Sequence, residues 1–397
     1  MLAHASTSEG LPRPEDAPTT GALDGSSSAT TIQWADGDPD HPYNMSFRRK
    51  WMIVLIISFS SLCVTCASSI YSTTYSQIMI DFHASHEPAT LGLSLFIWGM
   101  GVGPLVLGPL SELYGRRAVY LWSLLFFFIW MFPCAFANNV HTLLIGRFLS
   151  GFSGSAFLSV AGGTVGDMFP RTQLALPMMV YTASPFVGPE IGPLRWTFYM
   201  LLFWAAAILL LVYLLVPETY QSVLLKRRAQ RIREETRTSE VWAPNEKNAS
   251  PLRVMILRSI YRPIMLLTLE PMCLSLCIYS ALLLGIIYLF FGAFQLVFES
   301  VYGFELWQRG LSFTGILVGM IFAILSDPIW RLHYRHLEER ALTLSCPDCD
   351  FEPEWRLPPV IVGAPLVTVG LFIFAWTAYP SICWVVPIIG SALFGAG

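Results

Sequence analysis

Arg147 is the residue in this chain whose setting most clearly suggests chemistry. It lies in Gly146-Arg-Phe-Leu-Ser-Gly-Phe-Ser-Gly154, inside a long apolar run. A charged side chain at membrane depth costs about 2.5 kcal/mol or more and usually marks function or an internal partner. Two interpretations are open. The guanidinium extends to the outer headgroups, or it faces a bundle interior and biases a neighbouring acid or a proton path.

Small residues continue the Arg147 face. Gly151, Gly154 and Ser155 follow it at helical spacing. A face of small residues in a membrane helix packs closely against another helix. The pattern therefore favours the interior position for Arg147.

A charged turn precedes this segment. It reads Gly108-Pro-Leu-Ser-Glu-Leu-Tyr-Gly-Arg-Arg117 and joins two apolar runs. Its two glycines, Gly108 and Gly115, predict close chain approach and a tight turn.

The charges of this turn have candidate partners. Glu112 and Arg116 are four positions apart, so they can pair if the turn is helical. Asp167 is a second candidate partner for Arg116 or Arg117. The alternative is a plain positive cluster that anchors a cytoplasmic loop.

A stretch rich in proline and glycine follows. Glycines permit close helix contact, and prolines free carbonyls and bend a helix. The pattern predicts a contact between bundles, or ordinary close packing, at Pro185, Gly188, Pro189, Gly192 and Pro193. Glu190 is either a proton-carrying carboxylate or a residue of the extracellular helix end.

Polar and aromatic residues form a candidate substrate cavity. Aromatic faces attract cations, and mixed apolar and polar walls bind small ligands. The candidates are Ser69, Tyr71, Tyr279, Tyr288 and Gln295. Tyrosine belts at the membrane interface are the alternative.

Composition identifies the elements that must hold these residues. The chain has 397 residues, of which 54% are hydrophobic and 13% charged, whereas soluble proteins carry about 25% charged residues. Long uncharged windows predict membrane-spanning helices. Ten are expected, about 51–71, 89–107, 118–137, 142–162, 175–193, 196–216, within 263–291, within 311–325, 358–376 and from 382 onward.

The loops suggest an orientation and four segments. Basic residues cluster in the N-terminal region and in alternate loops, which places the N-terminus in the cytoplasm. The predicted segments are a disordered cytoplasmic tail (1–47), a six-helix bundle (48–216), a central cytoplasmic loop (217–261) and an incomplete C-terminal bundle (262–397).

Other chemistry finds little support in the sequence. Cys346-Pro-Asp-Cys349 lacks a second ligand pair at metal-binding spacing, and no phosphate-binding glycine-rich loop is present. We expect no metal, no cofactor, no enzymatic activity and no nucleic-acid partner. The expected partners are a small-molecule substrate, protons and the lipid bilayer.

Several motifs together resemble one family. Gly108–Arg117 resembles the loop between helices 2 and 3 of the major facilitator superfamily, and Gly146–Gly154 resembles its helix 4 motif. Ala183–Pro193 resembles the helix 5 motif of its drug:proton antiporters. Pro217-Glu-Thr-Tyr220 and Asp327-Pro-Ile-Trp330 resemble loops of its fungal drug- and polyamine-exporting members.

The resemblance implies an all-α polytopic fold of two bundles. It implies proton coupling through Arg147, a cytoplasmic gate formed by the charged turn with Asp167, and a bundle contact at Ala183–Pro193. Members have twelve spanning helices, whereas this sequence stops within the tenth, so we expect a C-terminal bundle of about four helices.

The expected function is export of small amphipathic or cationic compounds, such as drugs, toxins or polyamines, by proton antiport with alternating access. The expected location is the plasma membrane. The alternative is a non-transporting fragment, or an assembly partner of a full-length carrier, because the second bundle is short.

Overall fold

The computed structural model describes most of the chain in helices. It describes residues 30–31, 34–35, 37–83, 85–170, 173–183, 194–236, 241–243, 252–343 and 358–397. Glu190 and the five predicted bundle-contact residues lie outside these ranges, as does the Cys-x-x-Cys pair.

The helices of the N-terminal half pack around one core. They are α1 (Phe47–Ser69), α2 (Tyr75–Asp81), α3 (His86–Tyr114), α4 (Arg116–Ala135), α5 (Val140–Gly154), α6 (Ala156–Met168), α7 (Ala175–Ala183) and α8 (Leu194–Leu215). Helix α1 is buried on nearly every side and carries much of the core. Helices α5 and α6, interrupted at Ser155, are together long and apolar enough to make one crossing of a membrane.

The second half is less buried. Its helices are α9 (Gln221–Thr236), α10 (Leu252–Leu269), α11 (Pro271–Ser300), α12 (Leu306–Ser312), α13 (Thr314–Thr343), α14 (Pro358–Thr377) and α15 (Val385–Ala396). A buried apolar cluster joins α11 to α13, α14 and α15, and it includes Phe290, Phe294, Ile316, Phe374 and Phe394.

Within the described ranges, eight helices are long and apolar enough to cross a membrane. The predicted helix 5 is described only at Ala175–Ala183, and the predicted helix 10 is the shorter Val385–Ala396. The chain is therefore a helical, multi-pass membrane protein.

Two predicted helix boundaries need correction. The expected helix 7 is two helices, because α10 ends at Leu269 and α11 begins at Pro271. Proline fits the first turn of a helix, and the residue before it disfavours the α conformation; Glu270 is extended there. Helix 8 was predicted within 311–325, but α13 continues to Thr343, with Pro328 inside it.

Small residues bring α3 and α5 together. A side chain at Gly99 or Gly103 would meet the backbone of Phe148 or Phe152, and one at Gly151 would meet the carbonyl of Phe96. Such contacts let the two backbones approach closely. The predicted helix contact of the Arg147 face is confirmed. This contact sets the position of Arg147 along the axis of α3.

The segment before α1 packs on the central loop. Strands β1 (Thr30–Thr31) and β2 (Val241–Trp242) pair in parallel, and Pro42–Asn44 forms a 3₁₀ turn. Asp38 forms an ion pair with Arg228 of α9. The C-terminal end of the predicted tail thus makes defined contacts with the predicted central loop.

Candidate functional site

Arg147 lies inside the N-terminal bundle. Its side chain is among the largest fully buried ones and is 1% exposed. Helix α5 carries it, and the glycine contacts with α3 hold that helix in place. The interior position predicted from the sequence is confirmed, and the headgroup position is excluded for this conformation.

Aromatic faces and one carbonyl surround the guanidinium. Its Nη1 donates a hydrogen bond of 2.6 Å to the Ala67 carbonyl, in the last turn of α1. Its carbon lies 3.9 Å from the ring centre of Tyr71 and 5.1 Å from that of Phe198. A backbone carbonyl oxygen and aromatic faces both present partial negative charge, so each stabilises the cation.

No carboxylate of the described residues pairs with Arg147. Its Nε and the Tyr71 hydroxyl are both buried, and neither has a hydrogen-bond partner among those residues. A buried charge normally requires a pair and a full set of hydrogen bonds. The site therefore keeps a positive charge and unused hydrogen-bonding capacity, which suits a transient partner such as a proton carrier, water or substrate.

Gly115 makes the sharp turn between α3 and α4. Its φ is +96°, a conformation that side chains disfavour. A Cβ there would also collide with the carboxylate of Glu218. The tight turn predicted at Gly115 is confirmed. The close approach predicted at Gly108 is wrong, because Gly108 lies within α3 and a Cβ there would meet nothing within 4 Å.

Arg116 is the centre of the charged turn. Its Nε pairs with Asp167 Oδ2 at 3.1 Å, and its Nη1 donates to Ser111 Oγ at 2.7 Å. Its guanidinium lies 4.8 Å from the ring centre of Tyr220. These contacts tie the start of α4 to the end of α6 and to the segment after α8.

Glu218 completes this cluster. It is buried, and its Oε1 accepts hydrogen bonds from the backbone amides of Arg116 (2.8 Å), Thr219 (3.1 Å) and Tyr220 (3.0 Å). A carboxylate at the N-terminus of α4 stabilises the helix dipole. Sequence reasoning had assigned Glu218 no role, although the Pro-Glu-Thr-Tyr motif right after an apolar helix was the available signal.

Glu112 and Arg117 stand apart from the cluster. Helix α3 ends at Tyr114, so the pairing of Glu112 with Arg116 that a continuous helix would allow does not form. Glu112 is exposed. Arg117 Nη2 donates instead to the Tyr213 carbonyl of α8 at 2.9 Å.

The predicted cavity residues occupy different surroundings. Ser69 and Tyr71 are buried in α1 and the turn after it, whereas Tyr279 is 47% exposed on α11. The Tyr288 hydroxyl lies 3.2 Å from Ser68 Oγ, which connects α11 to α1. Tyr279 thus does not share an enclosed cavity with Tyr71, and the Gln295 side chain lies outside the described part of the structure.

Among the described residues, no His, Cys, Asp or Glu cluster suits a metal ion.

Comparison with curated proteins identifies fungal relatives. The chain is 49% identical over 373 residues to the efflux pump atB of Aspergillus terreus, covering 91% of this chain and 70% of the pump. It is 41% identical over 373 residues to the probable drug/proton antiporter YHK8 of Saccharomyces cerevisiae, covering 91% of this chain and 71% of that protein.

Comparison with solved structures supports the fold alone. The proton:xylose symporter XylE superposes with a TM-score of 0.55 at 15% identity, covering 88% of this chain and 79% of the symporter.

The sequence model of the Major Facilitator Superfamily matches residues 57–397. This chain therefore belongs to the Major Facilitator Superfamily and is a transporter rather than an enzyme.

Proposed function

We propose that the protein exports small amphipathic or cationic compounds from the cytoplasm in exchange for protons. The observation that carries the proposal is the buried guanidinium of Arg147, which has no carboxylate partner among the described residues. The names of the relatives, an efflux pump and a probable drug/proton antiporter, support export and proton exchange.

Arg147 would serve proton coupling through its charge. A cation in a low-dielectric site favours the deprotonated form of any acid that approaches it. A proton-carrying group would release its proton beside Arg147 and take one up when moved away. Glu190 remains a candidate for that group.

The Arg116 cluster would act as the cytoplasmic gate. It ties α4 to α6 through Asp167, and to the segment after α8 through Glu218. Alternating access requires one bundle to rock against the other, and this cluster holds the segment after α8, which connects the two halves of the chain. We assign the closed-gate role to Arg116, Asp167 and Glu218, with Gly115 as the turn that sets their geometry. The other predicted gating residues, Gly108, Glu112 and Arg117, remain proposed gating residues outside this cluster.

The substrate path would lie between α1 and α11, where Ser68 contacts Tyr288. Tyrosine and serine side chains at this contact suit amphipathic compounds. The plasma membrane and a cytoplasmic N-terminus remain the proposed location and orientation.

The test is accumulation of a fluorescent cationic drug in a yeast host that lacks its own exporters. Cells expressing the wild-type chain should accumulate less drug than cells with empty vector. An uncoupler should abolish the difference, and Arg147→Ala should resemble uncoupled cells even without the uncoupler. Equal surface amounts of both proteins must be verified by blotting. Equal accumulation in all conditions would refute export.

A further inference from the structure

An apolar groove lies on the outside of the N-terminal bundle, between α4 and α8. It has a volume of about 650 Å³. Helix α4 contributes Leu121, Leu125 and Phe128, and α8 contributes Ala206, Leu209 and Tyr213. The lining contains no charged residue, so the groove suits hydrocarbon.

Arg117 stands at one end of this groove. It lies four positions before Leu121 and so shares the face of α4 that lines the groove. Its Nη2 donates to the carbonyl of Tyr213, a lining residue of α8. The guanidinium therefore bridges the two helices where the groove opens.

The neighbouring arginines differ in charge balance. Arg116 is paired with Asp167. Arg117 forms no ion pair with any carboxylate in the part of the chain that the structure describes. A neutral carbonyl leaves its full positive charge uncompensated. The groove thus ends in a cation with capacity for an anionic partner.

The dimensions match one leaflet of a bilayer. From Arg117 to Phe128 a helix rises about 16 Å, at about 1.5 Å per residue. The hydrocarbon core is about 30 Å thick, so one leaflet contributes about 15 Å. An acyl chain in the groove would therefore place its phosphate at the height of Arg117.

We infer that this groove binds an anionic phospholipid of the cytoplasmic leaflet, with an acyl chain against α4 and α8 and the headgroup phosphate at Arg117. Charge complementarity selects the anionic class, because in the proposed orientation Arg117 faces the inner leaflet, which carries the anionic lipids, and no described carboxylate pairs with Arg117. The bound lipid would join α4 to α8 beside the Arg116 cluster.

The experiment measures binding of the first lipid to the purified full chain by native mass spectrometry. Phosphatidylglycerol and phosphatidylcholine with the same acyl chains are compared. The wild type should prefer phosphatidylglycerol, and Arg117→Gln should weaken that preference by about fivefold, the factor that one surface cation contributes. Arg227→Gln removes an exposed charge of α9 and should leave the preference unchanged.

Two further variants test the groove without altering any charge. Ala206→Trp fills it and should weaken binding of the phosphatidylglycerol, whereas Ala207→Trp lies on an exposed position outside the lining and should not.

A conservative substitution tests the charge of Arg117. Arg117→Lys keeps the charge and should retain most of the preference.

Three results would overturn the inference. The first is equal wild-type affinity for both lipids. The second is an equal loss in Arg117→Gln and Arg227→Gln, which would indicate a diffuse basic surface. The third is no difference between the two tryptophan variants. None of these readouts depends on transport.

Discussion

Two arginines of the N-terminal bundle are stabilised by opposite means. Arg147 is fully buried, and it contacts a carbonyl and aromatic rings but no described carboxylate. Arg116 is partly exposed and is neutralised by Asp167, with Glu218 beneath its backbone amide. The first arrangement keeps a charge available for a moving partner, whereas the second uses charge to hold segments together. The contrast separates the proposed coupling site at Arg147 from the proposed structural contact at Arg116.

The largest expected effect is on transport and follows from Arg147→Met. Proton-coupled export should fall to the level of uncoupled cells, because the cation is lost. Stability should be unchanged or improved, since replacing a buried ionic group by an apolar one of similar volume is often neutral or stabilising by about 1–4 kcal/mol. Thermal unfolding in detergent checks stability, and drug accumulation checks export. Retained export that still responds to the uncoupler would remove Arg147 from the coupling mechanism.

A loss of stability is expected instead at the cluster of Arg116, Asp167 and Glu218. Asp167→Asn should lower the free energy of unfolding by about 1.5–3 kcal/mol, the contribution of a hydrogen bond to a charged group. It should also expose the end of the bundle that carries Arg116, so that a cysteine introduced at Ser111 reacts faster with a water-soluble maleimide. A double-mutant cycle with Arg116→Gln measures the coupling between the two side chains. Additive effects in that cycle would show that the pair does not act as a unit.

Gly115 tests whether the turn sets the geometry of this cluster. Gly115→Ala should destabilise the protein by about 1–3 kcal/mol, because alanine is strained at φ +96° and its Cβ would displace Glu218. Gly108→Ala is the matched control. Gly108 is helical and has open space around it, so alanine should stabilise α3 by about 0.5–1 kcal/mol. Similar effects of both substitutions would contradict the special role of Gly115.

The smallest effect is expected at a third arginine, Arg228 of α9. Burial raises the pKa of Asp38, but the hydrogen bond and charge of Arg228 outweigh it, so that the pKa lies below the usual 3.8. A carboxyl with a depressed pKa stabilises the folded state above its unfolded pKa, and this stability is lost as the pH falls through the folded pKa. The contact should therefore hold at neutral pH and weaken only below 3.8.

Limited proteolysis of the segment before α1 measures this contact. Cleavage should increase in acid for the wild type, by an amount that corresponds to at most about 1 kcal/mol, because Arg228 is 42% exposed. Asp38→Asn should show the faster cleavage already at neutral pH. A variant with wild-type cleavage at neutral pH would show that the ion pair does not hold the segment.

The sequence predicted correctly those features that depend on the residue types within one segment. Apolar length predicted most crossings, and the small-residue face of α5 predicted the interior position of Arg147. It was less successful where two distant segments meet. Glu218 and Arg116 are far apart in sequence, and neither spacing nor composition indicates that one caps the other. The pairing predicted between Glu112 and Arg116 required a continuous helix, which Gly115 ends.

The sequence by itself determined that this protein spans a lipid bilayer, and it determined the family to which the protein belongs. Long uncharged runs are stable only in a bilayer, and the motif order is carried by local residue types. Only the tertiary structure decided the partners of each charge. Helix packing placed one carbonyl and several rings around Arg147, and it placed Asp167 and Glu218 beside Arg116. The close approach of α3 to α5 and the turn at Gly115 set those distances.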